Sequence, residues 1–122
     1  MSNTKSTAVI GASPNTDRYS YKATLSLQSH GHPVLPIGIR KGEINGLNII
    51  TDKPLIENID TVTLYVGPDN QPAWTDYILS LKPKRIIFNP GTANPAFESK
   101  AESQGIEVVH ACTLVMLATN QY

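Results

Sequence analysis

The chain has 122 residues, which fits one domain and leaves no room for a second. Its hydrophobic fraction of 40% and charged fraction of 16% describe a compact folded chain and exclude a disordered one. Ten Lys and Arg balance ten Asp and Glu, so the broad positive footprint of a nucleic-acid binder is missing, and any bound anion must be held by a local arrangement of donors.

Met1 to Thr7 is polar and carries no charged-then-apolar leader. Every apolar run is far shorter than the ~20 residues that span a bilayer. A cytoplasmic location and no membrane partner are the resulting expectations. Thr7 to Ile10 is a short β-branched run ending at Gly11 and reads as a buried strand. A helix is expected over Ser20 to His30, with Ser20 as its cap and Gly31 as its end. Pro33 to Ile39 is the next apolar run, with Val34 to Ile37 as the strand because Pro33 cannot donate to a ladder.

Asn45-Gly46 signals a turn, Leu47 to Ile50 a brief extended piece, and Pro54 to Asn58 one helical turn. Thr61 to Val66 is rich in strand-forming residues. Pro72 can open a helix, Trp74, Tyr77, Ile78 and Leu81 recur at helical spacing, and Pro83 stops it. Arg85 to Phe88 is a strand, Asn94-Pro95 a cap and first turn, and Gly105 ends the helix they start. Ile106 to Val109 is the last strand. Ala111 to Leu117 is a short closing helix, and the tail to Tyr122 packs on this domain, on a second copy or on a partner protein.

Continuous apolar strands alternating with helices make an α/β fold, a three-layer, doubly wound parallel sheet of about five strands, Rossmann-like. With right-handed crossovers the expected strand order is 3-2-1-4-5, and ligands then bind beyond the carboxyl ends of the strands. The residues after each strand are therefore the candidates.

After the first strand, Gly11 permits a tight turn, Ala12 and Ser13 leave backbone N–H groups uncovered, and Pro14 has none to give. Donors are then expected from residues 11 to 13, from Asn15 and from the helix start, which together form an anion site. A plain strand-to-helix turn has the same sequence, and only the first Gly of a dinucleotide fingerprint is present. After the second strand come Gly38, Ile39, Arg40 and Lys41. An NAD site usually carries Asp or Glu here, whereas basic groups suit a ribose that bears its own phosphate, as in coenzyme A or NADP. A solvated Arg-Lys pair is the plainer alternative. Gly67-Pro68 and Asn89-Pro90-Gly91 are small turns that leave space above the sheet, and Asn89 offers an amide to a ligand.

His110 and the only cysteine, Cys112, point the same way along an extended backbone. A catalytic pair needs a third, orienting group, and a metal site needs three or four ligands. The expected fate of Cys112 is a reduced, buried thiol, with no catalysis and no metal.

The stretches Val9-Ile10-Gly11-Ala12-Ser13-Pro14, Arg18, Ser20-Tyr21-Lys22, His30-Gly31, Val34-Leu35-Pro36-Ile37 and Glu43-Ile44-x-Gly46 resemble the small CoA-binding domain family. That family is close in fold to the CoA-binding part of the succinyl-CoA synthetase α subunit. The resemblance runs from about Ala8 to Cys112. It implies a Rossmann-like module that holds coenzyme A without chemistry of its own. By that resemblance Gly11, Ala12, Ser13 and Pro14 line a pyrophosphate site with Arg18 and Tyr21 nearby. Arg40 and Lys41 face the adenosine phosphate, and Val66, Gly67 and Pro68 border the adenine or the pantetheine. The chain departs from the family at Gly38-Ile39, where relatives often carry Asn-Pro, and at Phe88-Asn89-Pro90-Gly91, where many carry a Gln-containing apolar segment.

Overall fold

A computed structural model describes residues 4–122; Met1 to Asn3 of the polar start lie outside the described residues. The central sheet holds β1 (Thr7–Ile10), β2 (Val34–Ile37), β5 (Thr61–Leu64), β6 (Arg85–Phe88) and β7 (Glu107–His110). All are parallel, in the order β2-β1-β5-β6-β7. A separate antiparallel hairpin pairs β3 (Glu43–Ile44) with β4 (Leu47–Asn48) around the predicted Asn45-Gly46 turn. The helices are α1 (Tyr19–Ser29), α2 (Pro72–Ser80), α3 (Pro95–Ser103) and α4 (Thr113–Ala118).

Side chains alternate across the strands and so feed two cores. Ala8, Ile10, Val62, Leu64, Ile86 and Phe88 pack with Trp74 and Ile78 of α2 and Phe97 and Ala101 of α3. Val9 and Val34 pack with Leu27 of α1 and Leu117 of α4 on the opposite face. The layers are therefore helix, sheet, helix, and the fold is the doubly wound α/β, Rossmann-like sheet. Among the described residues no helix is long and apolar enough to cross a membrane.

The expected strand order needs correction. It placed the strand at residue 61 outside β2, but Thr61–Leu64 pairs with β1 on its other side. The outer edge of β2 is instead taken by a single parallel bridge, Ile37 to Ile50. The segment between β2 and β5 holds a hairpin and no crossover helix, so it laps that edge and returns across the bottom of the sheet. The chain thus turns one way after β1 and the other way after β5, and these two neighbours make the switch point where doubly wound sheets open a crevice.

Smaller corrections have local causes. Helix α1 starts one residue early with Arg18 as N-cap, and Ser20 is buried in its first turn instead of capping it. Residues 54–58 form no helical turn: Asn58 has φ +65°, and the Pro54 carbonyl accepts the Tyr77 hydroxyl at 2.7 Å. The Asn94 cap of α3 forms as expected, its Oδ1 accepting the Phe97 N–H at 3.3 Å.

The tail packs on its own chain, beneath the amino ends of the strands. The Tyr122 hydroxyl meets Thr7 Oγ1 at 2.6 Å, its ring lies 4.8 Å from that of His32, and the Arg85 guanidinium sits 4.5 Å from its centre. His32 Nδ1 accepts the Lys5 backbone N–H at 2.9 Å, which requires an unprotonated Nδ1. Burial, then Lys5, His30 and Arg85, hold the His32 pKa below its ordinary 6.5, with Asp60 opposing. The folded chain therefore binds this proton less readily than the unfolded one. Stability is complete above pH 6.5 and falls as the pH drops from there through the lowered folded value. His32→Gln, which keeps an acceptor and cannot titrate, is expected to show a smaller loss of melting temperature than the parent between about pH 7.5 and about pH 5.5. Equal losses in the two proteins would assign the acid sensitivity to another group.

Candidate functional site

A cleft of about 920 Å³ lies over the carboxyl ends of β1 and β5, walled by the loops after β1, β2, β5 and β6. That volume falls in the range of small-molecule sites, about 300–1,000 Å³. Of the candidates, it brings together Gly11, Ala12, Ser13, Asn15 and Arg18 with Ile39, Arg40, Val66, Gly67 and Gly91.

The bend after β1 is held from both sides. The N–H groups of Gly11 and Ala12 both donate to the Ile37 carbonyl, at 2.9 and 3.0 Å. Gly11 has φ +94°, and a Cβ there would stand 3.0 Å from the Tyr65 carbonyl oxygen, so both its backbone and its surroundings require glycine. At Gly38 a Cβ would stand 2.3 Å from the Ala12 carbonyl oxygen. The loops after β1, β2 and β5 therefore touch main chain to main chain.

This contact revises the expected donor set. Gly11 and Ala12 have spent their amides on Ile37, and the Asn15 amide donates to Ser13 Oγ at 3.1 Å. Ser13 and the first-turn residues of α1, Tyr19 and Ser20, keep N–H groups without a partner among the described residues. Orphan donors at a helix start, with the positive end of its dipole, favour an anion. Arg18 and Arg40 stand exposed on the cleft wall, and neither enters a salt bridge among the described residues. Asp17 is the carboxylate beside them.

Six candidates lie off the cleft wall. Pro14 turns toward Gly42, where a Cβ would meet it at 2.7 Å. Tyr21 packs against the Val9–Leu27 core. Gly38 is buried against Ala12, while Lys41 and Pro68 are exposed away from the cleft. Asn89 was expected to offer its amide to a ligand, yet that amide is fully used inside the protein. Its Nδ2 donates to Thr63 Oγ1 at 2.7 Å and to the Leu64 carbonyl at 2.9 Å, and its Oδ1 accepts the Thr113 N–H at 2.9 Å. At 2% exposure it ties β5 to β6 and supplies α4 with the cap that Cys112 does not make.

Sequence reading missed Gln71. It is fully buried, and its Nε2 donates to the carbonyls of Val66 and Thr92, at 2.9 and 2.7 Å, while Asn94 Nδ2 donates to its Oε1 at 2.9 Å. It thus braces the two loops that form the far wall. A polar residue just ahead of the helix-opening Pro72 was the available signal. Tyr65 and Trp74 also line the cleft unforeseen. Burial pushes the Tyr65 hydroxyl up to about 12, and among the described residues no group meets it in hydrogen-bond geometry.

His110 does have an orienting neighbour: its Nε2 lies 2.6 Å from Glu98 Oε1, and its ring stacks on Phe88. Glu98 Oε2 also accepts the Asn94 N–H at 2.7 Å, so the pair closes the start of α3. Neither His110 nor Cys112 lines the cleft, and no group of three metal-ligating side chains occurs among the described residues.

Comparisons with known proteins agree with this fold. The crystal structure of an uncharacterized protein is 51% identical, covers 99% of this chain and 100% of its own, and superposes with a TM-score of 0.97. A hypothetical protein from Pyrococcus horikoshii OT3 is 24% identical over 96% of this chain and 84% of its own, with a TM-score of 0.85. A Thermus thermophilus protein is 24% identical over 98% of this chain and 91% of its own, with a TM-score of 0.84. At that identity the last two speak for the fold alone. No curated protein matches the chain. The model of the CoA binding domain matches residues 5–118, nearly the whole length, and the chain belongs to the CoA-binding domain family.

Proposed function

We propose that the cleft at the β1–β5 switch point binds coenzyme A or an acyl-CoA, and that the chain holds this ligand without transforming it. One observation carries the reading. Ser13, Tyr19 and Ser20, whose amides have no partner among the described residues, line the same cleft as Arg18 and Arg40, which enter no salt bridge among them. In that reading the amides and Arg18 take the diphosphate, and Arg40, just beyond β2, takes the phosphate on the ribose. Membership of the CoA-binding domain family supports the choice of ligand. That neither His110 nor Cys112 lines the cleft supports the holding role.

Calorimetry with coenzyme A and dephospho-coenzyme A tests it. A charge-assisted contact to the ribose phosphate predicts about tenfold weaker binding of the dephospho form. Arg40→Ala is expected to erase that difference. No binding of coenzyme A at about 1 mM by folded protein would remove the proposal. Arg40 suits NADP equally, and a larger thermal shift with NADP than with coenzyme A would reverse the choice. Thioester cleavage by the parent that is lost in Cys112→Ala would overturn the holding role.

A further inference from the structure

We propose that Glu98 is a positioning residue for the cleft: gripped by His110 on the surface of α3, it sets the loops after β5 and β6 through Asn94 and Gln71. The inference rests on the coenzyme A reading above for its ligand, and on a line of hydrogen bonds outside the cleft for its mechanism.

The line is continuous. His110 Nε2 lies 2.6 Å from Glu98 Oε1, and Glu98 Oε2 accepts the Asn94 N–H at 2.7 Å. Asn94 Nδ2 donates to Gln71 Oε1 at 2.9 Å. Gln71 Nε2 donates to the carbonyls of Val66 and Thr92, at 2.9 and 2.7 Å. Val66 and Thr92 stand on the cleft wall, whereas His110 and Glu98 do not.

The direction of every bond is fixed from both ends. The Val66 and Thr92 carbonyls can only accept, so both must face the NH2 group of Gln71. The Phe97 N–H can only donate, so it must meet Asn94 Oδ1, as it does at 3.3 Å. Both demands give the same orientation for the Asn94–Gln71 bond between them. Neither amide can turn over without breaking two contacts. Gln71 is fully buried, so water cannot replace what it loses. Capping α3 does not require this reach: the Phe97 and Glu98 contacts close the helix start, and the bond to Gln71 carries the arrangement on to the wall.

The outer end is open to solvent, with the His110 side chain 55% exposed and that of Glu98 14%. From α3 His110 meets Glu98, and from β6 the uncharged ring of Phe88, 5.8 Å away between centres. The other two histidines, His30 and His32, line a separate pocket beside Lys5 and Tyr122, at the amino ends of the strands. Facing a carboxylate, Nε2 carries a proton whether the ring is neutral or charged, and Glu98 has an acceptor for each of its two donors.

The test uses Glu98→Gln, whose side chain has one acceptor where the carboxylate has two. With His110 neutral, the new oxygen takes the Asn94 N–H while its NH2 donates to Nε2, and the line closes. With His110 protonated, the Nε2–H and the Asn94 N–H compete for one acceptor, and a contact is lost. Calorimetry is therefore expected to give Glu98→Gln the coenzyme A affinity of the parent at about pH 8, and about fivefold weaker binding than the parent at about pH 5.5. Taking the ratio at each pH cancels titration of the ligand phosphate and of His30 and His32. Adding His110→Ala to Glu98→Gln should flatten the profile. Ala101→Gly, which softens α3 outside the line, should show no pH dependence in the ratio, and so separates positioning from helix stability.

NMR of the ligand-free protein reads the same event at the Gln71 side-chain amide, whose signal in Glu98→Gln should follow the His110 titration. If coenzyme A binds with a flat ratio, Glu98 does not position the cleft, and the coenzyme A reading stands. If coenzyme A does not bind but the Gln71 signal follows His110, that reading fails, and the coupling of His110 to the wall holds. A Gln71 signal indifferent to His110 overturns the inference whatever the ligand does.

Discussion

Gly38→Ala is expected to destabilise the fold by about 1–3 kcal/mol and to abolish detectable coenzyme A binding. The added Cβ would stand 2.3 Å from the Ala12 carbonyl oxygen, well inside van der Waals contact. That oxygen belongs to the main chain, so no side chain can swing aside to make room. The bend after β1 and the end of β2 must move apart. The Gly11 and Ala12 amides that converge on the Ile37 carbonyl then lose their geometry, and the Ser13 amide leaves the cleft. Chemical denaturation measures the first effect and calorimetry the second. Unchanged affinity in a folded Gly38→Ala protein would show that the ligand does not depend on this contact.

A comparable loss is expected for Asn89→Leu, about 3–4 kcal/mol by denaturation. Three buried side-chain hydrogen bonds disappear together, and the Leu64 carbonyl and the Thr113 N–H are left without a partner. Each buried group orphaned in this way costs about 1–3 kcal/mol. The two orphans lie on β5 and at the start of α4, so the variant also loosens the joint between the sheet and its last helix. An effect of this size locates Asn89 in the framework. A variant that keeps its stability but loses ligand would return Asn89 to the binding surface.

Most of the architecture could be read from local chemistry. The runs at Thr7–Ile10, Val34–Ile37 and Arg85–Phe88 coincide with strands because the residues of a parallel sheet covered on both faces are predominantly apolar, which leaves a near-continuous signal. The Asn94 cap and the Asn45-Gly46 turn were legible because each depends on side chains or dihedrals within a few residues. The strand order was not. Nothing local distinguishes a chain that continues outward past β2 from one that touches that edge at Ile50 and crosses back.

The candidate site divides along the same line. Sequence by itself determined which residue types follow each strand: small and donor-rich after β1, basic after β2, compact after β5 and β6. Those choices depend on the turn each segment must make, and turn chemistry is local. Tertiary structure decided which of those groups remain available. A main-chain amide or an Asn side chain has the same capacity in any sequence, and only its neighbours in space settle whether that capacity is already spent. Gly11, Ala12 and Asn89 spend theirs on Ile37, Thr63, Leu64 and Thr113, partners 24 to 26 residues away. Ser13, Arg18 and Arg40 keep theirs, because no described residue is paired with them.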